Sequence, residues 1–304
     1  MSQSDNKKIV YVHGNNINTK IKNCEKGSKR WKILNNEILK KYEIWRQENE
    51  ELKGPFIYSN NEEIKDIIDK RTEYLNQYKD FIDKKVYADE FDSRSNLQSS
   101  VLEEFMYYLF KDVATCYNKE TWVGKSHAFK DIFLRAKSFK DMVNEPNIEF
   151  ETKDEDFIIG PNIESKFRVH GTKDDKVEIK NIQIPAVGIE CKTYIDKNML
   201  GEISMTAEQL KYKNPDALYI VVAERVKLTQ DVNLEKYKFD QIYVLRKERN
   251  KDRKIRLLAK CKGNPIYSDV VQKLFMDVKN HLITNWQNSI DDGIKRGYLI
   301  KKEE

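Results

Sequence analysis

The sequence predicts an α/β fold: a mixed central sheet flanked by helices, preceded by a helical region. Two observations predict it. Apolar residues recur at helical spacing through most of the first 113 or so positions, then give way from about residue 150 to short runs rich in β-branched residues. The order in that second half is strand, hairpin, strand, helix, strand, strand, which builds a mixed sheet with helices packed on it.

The elements follow in order. Residues about 28–52 carry Trp31, Leu34, Ile38, Leu39, Tyr42 and Trp45 at helical spacing, and Gly54-Pro55 ends that segment. A second helix over about 61–84 sets Ile64, Ile67, Ile68, Leu75, Tyr78 and Ile82 on one face. Both helices are densely charged. Asp89 to Asn96 is polar and turn-rich, a boundary. The next helix runs from about Leu97 to Val113, with Ser100 and Glu103 spaced as a capping box. A further helical segment is expected at about 126–144, after Trp122-Val123-Gly124. His13-Gly14-Asn15-Asn16 reads as a turn.

Strands are then expected at Phe150–Thr152 and Phe157–Ile159. Phe167–His170 and Val177–Ile184 flank the loop Gly171–Asp175 as a hairpin. The apolar run Ile184-Pro185-Ala186-Val187-Gly188-Ile189 leads a buried strand into Glu190-Cys191-Lys192. A helix at about 200–213 stops before Asn214-Pro215, and Leu218–Ala223 and Gln241–Leu245 are further buried strands. An amphipathic helix over about 268–297 closes the chain, with Val271, Leu274, Phe275, Val278, Leu282 and Trp286.

Composition excludes several classes. Lys+Arg number 55 against 50 Asp+Glu, a net charge of +5, so local patches matter more than the total. Cys24, Cys116, Cys191 and Cys261 form no CxxC pair, which predicts a reduced, cytoplasmic protein. No apolar run is long enough to span a membrane, and Ile9-Val10-Tyr11-Val12 is too short for a signal peptide. The four histidines lack the spacing of a zinc site. Gly124-Lys125-Ser126 is no phosphate loop, because Lys119 stands where the first glycine belongs.

The chemistry concentrates in Asp156 and in Glu190-Cys191-Lys192. On a strand, side chains two apart share a face, so Glu190 and Lys192 point one way while Ile189 and Cys191 point the other. Two carboxylates and an ammonium on neighbouring strands suit a divalent cation and an anionic substrate. Burying such charges without purpose is costly. Asp154 and Asp156 share a face, and periodicity does not separate them; Asp156 is preferred because the apolar run starts after it. Glu103 and Glu104 border opposite sides of the apolar arc of the Leu97–Val113 helix, and the wheel does not choose between them.

Asp156 with Glu190-x-Lys192 resembles the PD-(D/E)xK nuclease superfamily. The strings Ser99-Ser100-Val101-Leu102-Glu103-Glu104-Phe105, Lys153-Asp154-Glu155-Asp156-Phe157-Ile158-Ile159-Gly160 and Glu190-Cys191-Lys192-Thr193-Tyr194-Ile195-Asp196-Lys197 are similar to type II restriction endonucleases, nearest the Bpu family that reads CCTNAGC. The likeness covers roughly residues 97–225. It departs from the strict pattern at Glu155, where proline is usual.

The resemblance implies a restriction-endonuclease-like core and Mg2+-dependent, sequence-specific hydrolysis of double-stranded DNA to 5′-phosphate ends. Asp156 and Glu190 would hold metal, and Lys192 would serve the attacking water and the phosphate. Glu103 would assist, being favoured over Glu104 by the family's hydrophobe-Glu-x-x-hydrophobe order. Gln209, Tyr212, Thr193 and Lys197 are further candidates to support the site or touch backbone. The segments would then be a DNA-contacting or dimerising helical region (1–95), a catalytic core (96–262) and a closing helical segment (263–304). A homodimer or a paired second subunit is expected, since cutting two strands takes two sites, along with a cognate DNA methyltransferase. A catalytically degenerate DNA-binding protein and a repair or structure-specific nuclease are the competing readings. For DNA contact, the hairpin offers Lys166, Arg168, Lys173, Lys176 and Lys180. A later basic cluster offers Arg225, Arg246, Lys247, Arg249, Arg253, Lys254 and Arg256.

Overall fold

The computed structural model describes residues 10–88, 97–173, 176–252, 263–284, 286 and 290–297. The chain opens with α1 (Val12–Lys22), α2 (Lys29–Lys32), a π-helical stretch (Ile33–Ile38) and α3 (Leu39–Glu51), then α4 (Asn61–Ile82) and the short α5 (Lys85–Ala88). Helix α4 starts where its sequence says it should: the Asn60 side chain accepts from the Glu62 and Glu63 N–H groups, and Glu63 bonds back to the Asn60 N–H. Helix α6 (Leu97–Ala114) follows. Ser100 lies inside it rather than at its cap, with its hydroxyl donating to the Leu97 carbonyl. His13 is likewise not in a turn but in the first turn of α1, buried.

Seven strands form one sheet: β1 (Trp122–Leu134), β2 (Ile148–Gly160), β3 (Asn162–Phe167), β4 (Glu178–Gln183), β5 (Val187–Asp196), β6 (Leu218–Lys227) and β7 (Gln241–Val244). Their order is β3-β4-β1-β2-β5-β6-β7. Pairs β1–β2, β2–β5 and β3–β4 are antiparallel, while β1–β4, β5–β6 and β6–β7 are parallel, so the sheet is mixed as expected. Helix α7 (Phe139–Met142) sits between β1 and β2, and α8 (Lys197–Lys213) makes the crossover from β5 to β6. Helices α9 (Ser268–Ile283) and α10 (Ile290–Arg296) close the chain.

The predicted helix at 126–144 is a wrong element type, like the turn at His13–Asn16; the strand expected at Phe167–His170 lies earlier, as β3 over Asn162–Phe167. Phe129, Ile132 and Phe133 imitate helical spacing, but the segment is the long strand β1 with only α7 beyond it. The imitation arises because β1 slips register against β2 twice, between Gly124 and Ser126 and between Phe129 and Asp131, and each slip interrupts strict alternation. The same pairing fuses the two short strands expected at 150–159 into one. The boundary at Asp89–Asn96, together with Arg253, Lys254, Arg256 and Cys261, lies outside the described residues.

Helix α6 is the axis of the fold. Most of its length is buried, including Leu97, Val101, Leu102, Phe105, Leu109, Phe110 and Val113. On one side these pack with Ile38, Tyr42, Trp45 and Leu75 of the N-terminal helices; on the other they meet Phe157, Ile189, Cys191 and Val222 of the sheet and Phe275 of α9, all in one continuous core. At about 1.5–3 kcal/mol for each large apolar side chain fully buried, this fixes α6 against the sheet. A second cluster on the opposite face joins Leu200, Ile203 and Ala207 of α8 to Tyr219, Val221 and Ala223 of β6. Among the described residues no helix is long and apolar enough to cross a membrane.

Candidate active site

The site forms where β2 and β5 part. Their ladder pairs Ile159 with Val187, Ile158 with Gly188 and Phe157 with Ile189. One step further would set Asp156 opposite Glu190. There the side chain replaces the ladder: the Cys191 N–H donates to Asp156 Oδ2 at 3.0 Å. A bulge on the other edge assists. Ile158 pairs with Gly124 and Glu155 with Ser126, so Asp156 and Phe157 together oppose the single residue Lys125. The bulge also explains why residues 155 and 157, which strict alternation would align, face opposite ways. Phe157 packs against Phe110 of α6, whereas Glu155 meets Tyr219 on the α8 side.

Lys192 joins the two carboxylates. Its ammonium contacts Glu190 Oε1 and lies 3.3 Å from Asp156 Oδ2. The three side chains are partly covered, with 28% exposure for Lys192, 20% for Asp156 and 17% for Glu190. Burial works against the Lys192 charge, but Asp156 and Glu190 outweigh it and hold its pKa above the ordinary lysine range. Glu190 is pushed up by burial and by Asp156, with Lys192 pulling it back. Asp154 separates from Asp156 by exposure: its side chain is 72% exposed and bonds His127.

Glu103 and Glu104 part company on α6. Glu103 is buried on the site side and pairs with Lys125 of β1 at 3.2 Å. Burial and the nearby Asp156 push its pKa up to about 7, against the pull of Lys125 and Lys192. The Lys125 ammonium is disfavoured by burial, yet Glu103 and Asp156 raise its pKa on balance. Glu104 faces the N-terminal helices. It accepts from the His13 and Gly14 N–H groups at 2.9 and 3.2 Å and from the Tyr42 and Tyr108 hydroxyls at 2.9 and 2.8 Å. Gln209 and Tyr212 lie on the solvent side of α8, away from these groups, and Lys197 is exposed at its start. Thr193 is half-buried on β5.

Two residues at the site carried little signal in the sequence. Glu155, visible there only as a missing proline, is buried, and the Tyr219 hydroxyl donates to it at 2.8 Å while lying 3.4 Å from Glu190. Burial lifts the Glu155 pKa to about 7, with the tyrosine hydrogen bond pulling it back and Glu190 pushing further. Gly188 makes room for the tyrosine ring: a Cβ there would stand 2.8 Å from Tyr219 Cδ2.

With this geometry in hand, kinship decides the class. Residues 94–299 match the Bpu10I restriction endonuclease family. The chain belongs to that family. It is thus a type II restriction endonuclease of the PD-(D/E)xK kind, a sequence-specific DNA endonuclease. Its fold is similar to that of a chain in the solved native BbvCI A2B2 tetramer, with a TM-score of 0.63 and 20% identity over 90% of this chain and 97% of that one. A weaker likeness, at a TM-score of 0.29 and 12% identity, is to the restriction endonuclease PspGI in its complex with substrate DNA, covering 85% of this chain and 97% of that one. No curated protein matches the sequence significantly.

The donor set of this endonuclease fits a hard divalent cation. Asp156 and Glu190 already share a cationic partner in Lys192, and burial with Asp156 nearby raises the Glu103 and Glu190 carboxyls. Among the described residues no group of three or more His, Cys, Asp or Glu side chains is placed to hold a metal ion. Two protein carboxylates completed by water and phosphate are the ligand set that magnesium favours.

Proposed function

We propose that this restriction endonuclease cuts both strands of double-stranded DNA in a Mg2+-dependent reaction that leaves 5′-phosphate ends. The single observation that carries the reading is the Lys192 ammonium held against both Asp156 and Glu190 at the parting of β2 and β5. Asp156 and Glu190 would hold the metal, which when bound lowers the pKa of its water and neutralises phosphate charge. Lys192, held against both carboxylates, would serve the attacking water and compensate the charge that builds on the phosphate. Glu103, with a pKa of about 7, is suited to accept a proton from the attacking water at neutral pH.

Because one such site serves one strand, the working enzyme is proposed to pair two sites, as a homodimer or with a second subunit. The A2B2 assembly of BbvCI supports this. Residues 1–95 are proposed to contact DNA or a partner subunit, 96–262 to form the catalytic core and 263–304 to close it. A cognate DNA methyltransferase would protect the host sequence.

The test is digestion of a long, unmethylated phage DNA with Mg2+, beside Lys192→Ala. Discrete fragments that vanish in the variant, with duplex binding kept, support the reading, and fragment ends give the recognition sequence and the end chemistry. Full cleavage by Lys192→Ala would overturn the assignment. A smear would mean cutting without sequence choice.

A further inference from the structure

Parallel strands β5, β6 and β7 end on the same side of the sheet, and beyond the ends of β6 and β7 lies a cleft of about 540 Å³. Lys227, Arg249 and Lys251 line it, together with Thr229 and Gln230. It is built by the turn after β6 folding against the chain that leaves β7: Val226 bridges to Arg249 and donates to the Glu248 carbonyl at 3.2 Å.

Three of its lining residues are cations. Of the later basic cluster, Arg225 is buried against Glu224 and Glu248 and Arg246 against Glu224 and Asp83, while the exposed Lys247 pairs with the exposed Asp269. In the hairpin, Lys166, Lys176 and Lys180 are each matched by an acid: Glu164, Glu145 and Glu178. Lys227, Arg249 and Lys251 make no ion pair among the described residues, and no carboxylate lines the cleft. Three cations without an ion pair, beside the Gln230 amide, form a set that recognises phosphate oxygens, while the Thr229 hydroxyl is taken by Asp231.

We propose that this cleft is a second phosphate subsite, holding the DNA backbone a few nucleotides from the bond being cut; it rests on the nuclease reading of the Asp156–Lys192 site. The register sets the spacing. Lys227 lies opposite Asp196, four positions past Lys192 on β5. At about 3.3 Å per residue that is roughly 13 Å, or about four base pairs at roughly 3.4 Å of rise. The subsite therefore grips the same duplex without touching the scissile phosphate. It places no demand on base identity, so it would strengthen binding to every sequence alike.

The experiment measures binding of the full chain to an end-labelled random-sequence duplex by fluorescence anisotropy, with Ca2+ and a series of salt concentrations. Lys227→Ala/Arg249→Ala/Lys251→Ala is compared with wild type, and Lys227→Gln, an exposed single change, guards against misfolding. Each lost phosphate contact flattens the plot of log affinity against log salt by about 0.9. The triple variant is expected to flatten it by about two to three and to bind about tenfold more weakly at low salt, and Lys227→Gln to flatten it by about one. Ca2+ binding by calorimetry is expected to match wild type in both. Unchanged slopes in variants that bind Ca2+ normally would overturn the subsite and leave the nuclease reading standing. Failure of wild type to bind either duplex or Ca2+ would overturn both.

Discussion

Glu103 and Glu104 are neighbours on α6 with opposite destinations. One carboxylate reaches Lys125 beside Asp156; the other is enclosed by four donors from α1, α3 and α6 itself. A single helical turn thus carries a carboxylate that faces the candidate site and one that ties the N-terminal helices to α6.

The two should respond to mutation in opposite ways. Glu104→Ala leaves two buried N–H groups and two buried tyrosine hydroxyls without their acceptor, and is expected to lower unfolding stability by at least about 3 kcal/mol. Glu103→Gln keeps the shape and removes a carboxylate raised by burial, so its urea midpoint should stay near wild type while cleavage falls by about tenfold or more. Urea unfolding and DNA digestion on both variants decide; a stable Glu104→Ala protein would mean that the four bonds hold nothing together.

Glu104 also sets a pH signature. Burial lifts its pKa to about 7, with its hydrogen bonds pulling back. An acid raised in the folded state contributes stability that is full below the unfolded value near 4.5 and is lost as pH rises to about 7. At about 1.4 kcal/mol per pKa unit that is about 3 kcal/mol. Glu103 and Glu155 slope the same way. His13 opposes them, because burial, aided by Lys79, lowers its pKa to about 3. The clean quantity is therefore the stability of wild type minus that of Glu104→Gln, which should fall between pH 4.5 and 7; a flat difference would show that Glu104 is ionised throughout.

The strands that hold the site were legible because they are apolar runs with clear breaks, and Asp156, Glu190 and Lys192 stood out against them. The choice between Glu103 and Glu104 was not legible from the helical wheel, since α6 is covered on nearly every side and has no solvent face to orient it. Nor was β1, whose bulges disguise its alternation. Arg225 and Arg246 looked like phosphate grips, but they are buried in ion pairs. The carboxylates that neutralise them, Glu224 and Glu248, are adjacent to Arg225 and near Arg246 in sequence, a signal that charge counting alone passes over.

Tyr219 should tune cation binding from behind. Its hydroxyl bonds Glu155 and lies within reach of Glu190, and burial with the two carboxylates keeps it protonated. Tyr219→Phe removes the donor, at a cost of about 1–3 kcal/mol in stability, and frees Glu190 to turn. Calorimetry with Ca2+ should show weaker binding than wild type, and Gly188→Ala, which pushes on the same ring, should do likewise. Wild-type Ca2+ affinity in Tyr219→Phe would confine this network to a packing role.

Glu224 should prove the most sensitive charge outside the site. It lies 2.8 Å from Lys79 of α4 and accepts from Arg246 Nε at 2.8 Å, with all three side chains almost wholly buried. Burial opposes its charge, but Lys79, Arg246 and Arg225 outweigh that and hold its pKa well below the usual carboxylate range. Such an acid contributes stability that is present above the unfolded value and is lost as pH falls. Glu224→Gln should therefore cost about 3–5 kcal/mol at neutral pH, because it strands buried cations, and the penalty should shrink in acid. Pairing Lys79→Met with Glu224→Met removes one stranded cation along with the acid, so the double variant should recover part of the loss. If the double variant is as unstable as the sum of the singles, α4 is held to β6 by packing alone and the pair contributes no coupling.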